Sequence, residues 1–281
     1  MLNLKKYGMG QLPNSHNRMR LKDDEVALIQ KYRNKNGAKR YLAIGCIHIP
    51  FHNTFVLNGI IEMMKIEKFD GIIWGGDFLD MGALSSYEKG KINKSNVSLS
   101  DEYFAGNGVL DIFDSLLSKD AEKYFLFGNH ESRYHKWLSD VNNNKYGDLI
   151  NPIDALRLKD RGYEVYSDYM NDVLELGSLH IMHGFYYNIH CAKKHMDVFR
   201  RNVLFFHTHR VQMFREGDFC GYNAGCLANI SSPAFNYATK GMKSAWANAF
   251  AVVTIDGDRH FVNTVNCVDN KFEFGGRIYG G

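Results

Sequence analysis

The sequence is poor in residues that divide or staple a chain. It has four prolines in 281 residues and no low-complexity linker, so nothing in it marks a split into several domains. Its five cysteines (Cys46, Cys191, Cys220, Cys226 and Cys267) are odd in number and contain no Cys-x-x-Cys pair. That argues against a disulfide framework and for a reducing compartment, with the cytoplasm as the expected location. No run of about 18 apolar residues occurs, so no membrane span is expected. The opening stretch, MLNLKKYGMGQLPNSHNRMR, has no apolar h-region, so no secretory signal is expected. Charge of one sign is also missing. A net charge of +3 is no nucleic-acid footprint, although it leaves room for a local basic groove. No internal repeat stands out.

What is present suffices for a packed core, since 45% of residues are hydrophobic. The simplest reading is a polar N-terminal extension over residues 1–38 followed by one domain over 39–281. Asp23 to Lys35 reads as a polar helix. Arg40–Ile47, Gly71–Trp74 and Tyr124–Phe127 are short apolar runs, read as buried strands. Asn53–Lys68 and Glu102–Leu117 carry helical spacing, and the polar stretch Lys89–Ser100 reads as a loop. Glu131–Leu138 and Pro152–Lys159 look helical, broken by Asn142-Asn143-Asn144. Further on, Tyr163–Tyr166, Val173–Leu176, Leu179–Met182 and Val203–Phe206 are strand-like, and Asn188–Arg201 is helical. Gly177-Ser178 and Asp256-Gly257-Asp258-Arg259 are hairpin turns, the second joining strands at Ala249–Ile255 and His260–Asn266. The pattern is α/β first and β-rich later, which predicts two packed sheets flanked by helices.

Five polar strings punctuate these runs: Gly45-Cys46-Ile47-His48, Gly75-Gly76-Asp77, Gly128-Asn129-His130-Glu131, His183-Gly184 and His207-Thr208-His209. Alone, each is ordinary. A single histidine is usually a core or surface residue, Asp77 could cap a helix, and Asn129 could sit in a turn. Together they place Cys46, His48, Asp77, Asn129, His183, His207 and His209 at strand C-termini, where open α/β sheets gather ligands. Asp, Asn and His side chains meeting there can hold two cations, a general device for cleaving phosphate esters. Gly45, Gly76, Gly128 and Gly184 are expected to let the backbone turn sharply beside the site.

In this order and spacing the strings resemble those of the calcineurin-like metallophosphoesterases, over Cys46 to His209. The shorter stretch His48–Asn53 (HIPFHN) is similar to phosphoesterases encoded by bacteriophages, which would make the location a host cytoplasm. The resemblance implies a four-layer αββα sandwich with two mixed sheets and a metal site at the strand C-terminal edge. It implies two divalent cations, Mn, Fe, Zn or Ni. The first would be held by Cys46, His48, Asp77 and His209, the second by Asp77, Asn129, His183 and His207, with Asp77 bridging. A metal-bridging hydroxide would attack phosphorus, and His130 would protonate the leaving group. In that family the His130 position works with an acidic residue, which spacing alone does not identify. Cys46 departs from the pattern, which has Asp there. Three states are open for it: a ligating thiolate, a neutral thiol that weakens the first position, or an introduced substitution.

Around this set, Arg133 is a candidate for binding substrate phosphate. Arg210, Asp80, His52, Asn53 and Tyr186 are weaker candidates, set against ion-pairing, capping and core packing. His135, His190 and His195 read as structural or exposed, the other four cysteines as core fillers, and Lys193-Lys194 with Arg200-Arg201 as a solvated helix face. The expected function is hydrolysis of a phosphomonoester or phosphodiester, nucleotides included among the substrates, with no membrane partner. A DNA or RNA nuclease using the same centre is the alternative, less favoured by the modest charge. A binding scaffold with a damaged site is the other.

Overall fold

A computed structural model describes residues 37–85 and 97–281. The helix expected at Asp23–Lys35 and residues 89–96 of the expected loop lie outside the described residues. The rest of that stretch is corrected. The helix after it begins at Leu99, because Ser98 and Asp101 form a reciprocal capping box.

The first sheet contains β1 (Lys39–Ile44), β2 (Gly71–Gly75), β3 (Glu122–Leu126), β4 (Tyr163–Tyr166), β10 (Ala249–Asp256) and β11 (Arg259–Asn266). Its order is β11-β10-β1-β2-β3-β4. The strands from β1 to β4 run parallel, and β10 is antiparallel to both its neighbours. The second sheet contains β5 (Leu174–Leu176), β6 (Leu179–Ile181), β7 (Asn202–Phe205), β8 (Val211–Glu216) and β9 (Phe219–Ala224), in the order β5-β6-β7-β9-β8. Here β6, β7 and β9 are parallel while β5 and β8 are antiparallel edges.

Side-chain alternation assembles these sheets into layers. On β1 and β2, Tyr41, Ala43 and Ile73 pack with Leu179, Ile181, Leu204 and Ala224 of the second sheet. Their neighbours Leu42, Ile44, Ile72 and Trp74 face the opposite way, against helices α1 (Thr54–Ile66) and α2 (Leu99–Leu116). Val203 and Phe205 turn outward against helix Cys191–Phe199. The result is helix, sheet, sheet, helix: the expected αββα sandwich of two mixed sheets. Among the described residues no helix is long and apolar enough to cross a membrane.

The elements the sequence missed are short. Helix Pro152–Ala155 stops well before Lys159, and Gly147–Ile150 adds a turn of helix after the Asn142–Asn144 break. A two-stranded ribbon, β12 (Lys271–Phe274) with β13 (Arg277–Gly280), covers α1 through Phe272 and Tyr279.

One ring ties the two sheets together at the motif edge. Phe206, fully buried, follows β7 and lies against the ends of β1 and β2. A Cβ on Gly45 would stand 2.4 Å from this ring, and one on Gly75 would stand 2.0 Å from it. Gly75→Ala should therefore lower stability by about 1–3 kcal/mol through overpacking. Gly108→Ala, within α2 and with open space around it, should raise stability by about 0.5–1 kcal/mol. Urea unfolding of the two variants checks the contrast; equal midpoints would refute the packing role given to Phe206.

Candidate metal centre

All five polar strings converge at the C-terminal ends of parallel strands. Strands β1, β2 and β3 deliver Cys46 with His48, Asp77, and Asn129 with His130, while β6 and β7 deliver His183 and the His207–His209 loop. The β1 and β2 loops stay paired beyond the sheet, His48 N–H donating to the Asp77 carbonyl and Cys46 N–H to that of Gly76. The backbone is unusual there. Cys46, His48, Asp77, His207 and His209 all have φ between 49° and 60°. Each such conformation costs about 1–3 kcal/mol in a non-glycine residue, and strain of this kind clusters at functional sites.

The glycine expectation needs correcting. Gly76 (φ +88°) and Gly184 (φ +103°) do occupy turns that favour glycine. Gly45 and Gly128 do not; they are required for space. A Cβ on Gly128 would fall 2.2 Å from Asp77 Oδ1, as one on Gly45 would strike Phe206.

Asp77 is at the centre. Its Oδ1 accepts the His130 N–H at 2.9 Å. Its Oδ2 lies 3.2 Å from His183 Nε2 and 3.7 Å from His48 Nε2, and so faces both predicted donor sets. Burial acts to raise its pKa, but the surrounding histidines, His183 first, outweigh burial and hold the carboxylate ionised.

In the second predicted set, Asn129 Oδ1 is 3.1 Å from His183 Nε2 and 2.8 Å from His207 Nδ1, and the two ring nitrogens are 3.3 Å apart. His183 Nδ1 donates to the Gly75 carbonyl at 2.9 Å, which orients the ring with Nε2 towards Asp77 and Asn129. In the first set, His48 Nε2 and His209 Nε2 are 3.1 Å apart. Lone pairs this close need a proton or a cation between them. Burial lowers the pKa of His48, His209 and His207, the last to about 3, so all three stay neutral, the form in which imidazole ligates. Ligands held about 2.0–2.2 Å from one cation stand about 3.0–3.5 Å from each other, so these separations fit divalent cations. Cys46 with His48 and His209, and Cys46 with Asp77 and His183, are groups that could hold a metal.

Cys46 is fully buried and its Sγ accepts the His207 N–H at 3.1 Å. Burial, then the charge of Asp77, push its pKa well up. The thiol is therefore neutral unless a cation draws off its proton.

His130 is buried, and its Nδ1 donates to the Asp80 carbonyl at 2.6 Å. The Asp80 carboxylate stands 3.5 Å from that nitrogen and 3.4 Å from His48 Nδ1. Asp80 is thus the acidic companion that spacing did not identify, rather than a helix cap. Burial lowers the pKa of His130, Asp77 and Asp80 raise it, Arg133 opposes them, and the net direction is up. Arg133 donates through Nη1 to the Asp80 carbonyl, and its Nη2 lies 3.1 Å from His130 Nε2.

Two buried carboxylates went unread in the sequence. Glu131 accepts the N–H groups of Asp77, Leu79 and Gly128 at 2.8–2.9 Å and so joins the second and third strings. Glu102 on α2 accepts those of Met81 and Gly82, holding the turn after Asp80; burial and then Asp80 push its pKa up to about 8.

The weaker candidates separate. Asn53 caps α1, and His52 pairs with Ala228; neither lines the cavity over the donors. Tyr186 packs against His195, and the cavity is lined by Tyr187 instead. Arg133 and Arg210 both line it. His195 accepts the Phe185 N–H and is structural, while His135 and His190 are exposed. Lys193 ion-pairs with Asp197 on an exposed helix face, and all five cysteines are free.

Comparison with known proteins adds the following. A family model described as calcineurin-like phosphoesterase matches residues 39–222. No curated protein matches the chain. Vacuolar protein sorting 29 from Cryptosporidium parvum is similar in structure, at 12% identity and a TM-score of 0.48, covering 87% of this chain and 99% of that one. Its zinc-complexed counterpart from Entamoeba histolytica has 13% identity and a TM-score of 0.45, over 83% of this chain and 96% of that one. A conserved, predicted phosphoesterase from Streptococcus pneumoniae has 14% identity and a TM-score of 0.35, over 82% and 90%.

Proposed function

The chain belongs to the calcineurin-like phosphoesterase family, and from that premise we propose that it is a metal-dependent hydrolase of phosphomonoesters or phosphodiesters. The observation that carries this reading is the single oxygen, Asp77 Oδ2, facing both donor sets at 3.2 and 3.7 Å. Cys46, His48, Asp77 and His209 would hold one cation, and Asp77, Asn129, His183 and His207 the other. Bound there, divalent cations supply Lewis acidity towards phosphate and activate water at neutral pH. The chain's own residues do the rest. Glu131 and Phe206 fix the spacing of the ligand loops. Arg133, now shared with His130, would turn to the phosphate. His130, held by Asp80, would give a proton to the departing ester oxygen as the bond from phosphorus to that oxygen breaks.

Cys46 sets the metal preference. A thiolate is a soft ligand and favours Zn or Fe over Mn. Cys46 would hold a dication as the thiolate, the form that burial withholds without one.

The test is an assay of metal-depleted protein on p-nitrophenyl phosphate and bis-p-nitrophenyl phosphate, with Mn, Zn, Fe and Ni added singly. Turnover with at least one metal is expected. No turnover with any, together with less than one metal bound per chain, would sink the hydrolase reading. Cys46→Asp should raise Mn-dependent kcat/KM severalfold. Unchanged metal content and rate would remove Cys46 from the ligand set.

A further inference from the structure

The cavity over the donor groups has a volume of about 410 Å³, the size of a small-molecule site. Its walls carry groups that the metal chemistry leaves unused. Arg133 and Arg210 line it, and among the described residues neither has a carboxylate partner. Arg210 spends one nitrogen on the Asn188 carbonyl. Two un-neutralised guanidinium groups above a cation-binding floor fit an anion with several oxygens.

The aromatic groups are equally unspent. Tyr187 is 77% exposed and, among the described residues, has neither a ring neighbour nor a hydroxyl partner. Tyr237 is 57% exposed; its one ring contact is Phe235, tilted and 6.4 Å away, and its hydroxyl is also without a partner. Trp246, by contrast, is committed to the site, edge-on to His209 at 4.4 Å. Large rings left bare at a concave site offer flat faces for stacking, and free tyrosine hydroxyls suit the polar edges of a heteroaromatic ring. Tyr237 lines the same cavity as His130 and Arg133, and its neighbour Phe235 is edge-on to His48 at 5.4 Å.

We infer that the substrate is a phosphate ester of a nucleoside, its phosphate taken by Arg133 and Arg210 and the base of its leaving nucleoside stacked on Tyr237. This rests on the hydrolase reading above. In the reaction, water adds to phosphorus, the bond from phosphorus to the nucleoside oxygen breaks, and that oxygen takes its proton from His130. A cavity of this volume has room for one nucleotide.

Binding and turnover are measured separately. The binding probes are the carbon-bridged phosphonate analogues of adenosine 5′-phosphate and of glycerol phosphate, which lack the scissile oxygen. In equilibrium dialysis with the full chain, the nucleoside phosphonate should bind at least tenfold more tightly. Tyr237→Leu should remove most of that difference, and Tyr237→Phe should keep it. Equal binding of the two phosphonates, or a preference that Tyr237→Leu leaves intact, overturns the inference. So does tighter binding of a 12-nucleotide single strand than of the nucleoside phosphonate, which would point to a nuclease. Absence of p-nitrophenyl phosphate turnover, with the tenfold preference present, overturns the hydrolase reading alone and leaves the nucleoside site standing.

Discussion

Asp77→Asn should strip the site of bound cations and lower kcat/KM by at least about 10³-fold, roughly 4 kcal/mol of transition-state stabilisation. Asparagine has the same shape and can still accept the His130 N–H that Oδ1 accepts now. What it loses is the charge and the second oxygen, the one placed 3.2 Å from His183 and 3.7 Å from His48. Among the described residues no other carboxylate oxygen faces the donors of both sets. Asp80 reaches His48 and His130 from the far side, and Glu131 is spent on three backbone N–H groups. Both positions should therefore weaken together. Metal content by mass spectrometry should fall below one ion per chain, while circular dichroism stays at wild type. A variant that keeps one tightly bound ion and most of its rate would show that Asp77 serves a single position.

His130→Ala should leave metal content unchanged and depend on the leaving group. With alkyl phosphates the loss should be about 10²–10⁴-fold, the usual scale for general acid catalysis. With p-nitrophenyl phosphate, whose leaving oxygen needs no proton, it should be small. The pH dependence follows from the sign of the shift. Asp77 and Asp80 outweigh burial and Arg133 and raise the pKa of His130, so its acid form persists into the neutral range and disappears as pH rises. Wild-type rates on alkyl phosphates should therefore fall on the alkaline side, and the variant should lack that limb. Equal losses on both kinds of substrate would assign His130 a structural role.

Much of the fold could be read from apolar runs, because β1, β2, β3, β6 and β7 are short buried strands with a polar string after each. The gathering of the seven candidate donors at strand ends was legible for the same reason. What escaped depends on contacts between distant residues. Glu131 reads as the first residue of a helix, and its three N–H partners come from loops as far back as Asp77. Gly45 and Gly128 look like turn glycines until Phe206 and the Asp77 carboxylate are seen beside them. The left-handed backbone at five of the donors has no sequence mark at all, since Cys, His and Asp do not advertise it. Tyr186 and Tyr187 are indistinguishable by type, and only packing against His195 separates them. The ribbon of β12 and β13 was missed although its strands are as long as β4 and β7.

Phe206 has a consequence for how this sequence can change. Its ring occupies the space that side chains at positions 45 and 75 would need. Exchanging either glycine while the ring stays costs stability, and shrinking the ring alone opens a hole between the sheets. The three positions therefore form a single unit of inheritance, contributed by strands from both sheets. Variation that reaches one of them without the others meets a barrier of fit, whatever the chemistry at the metal ligands beside them.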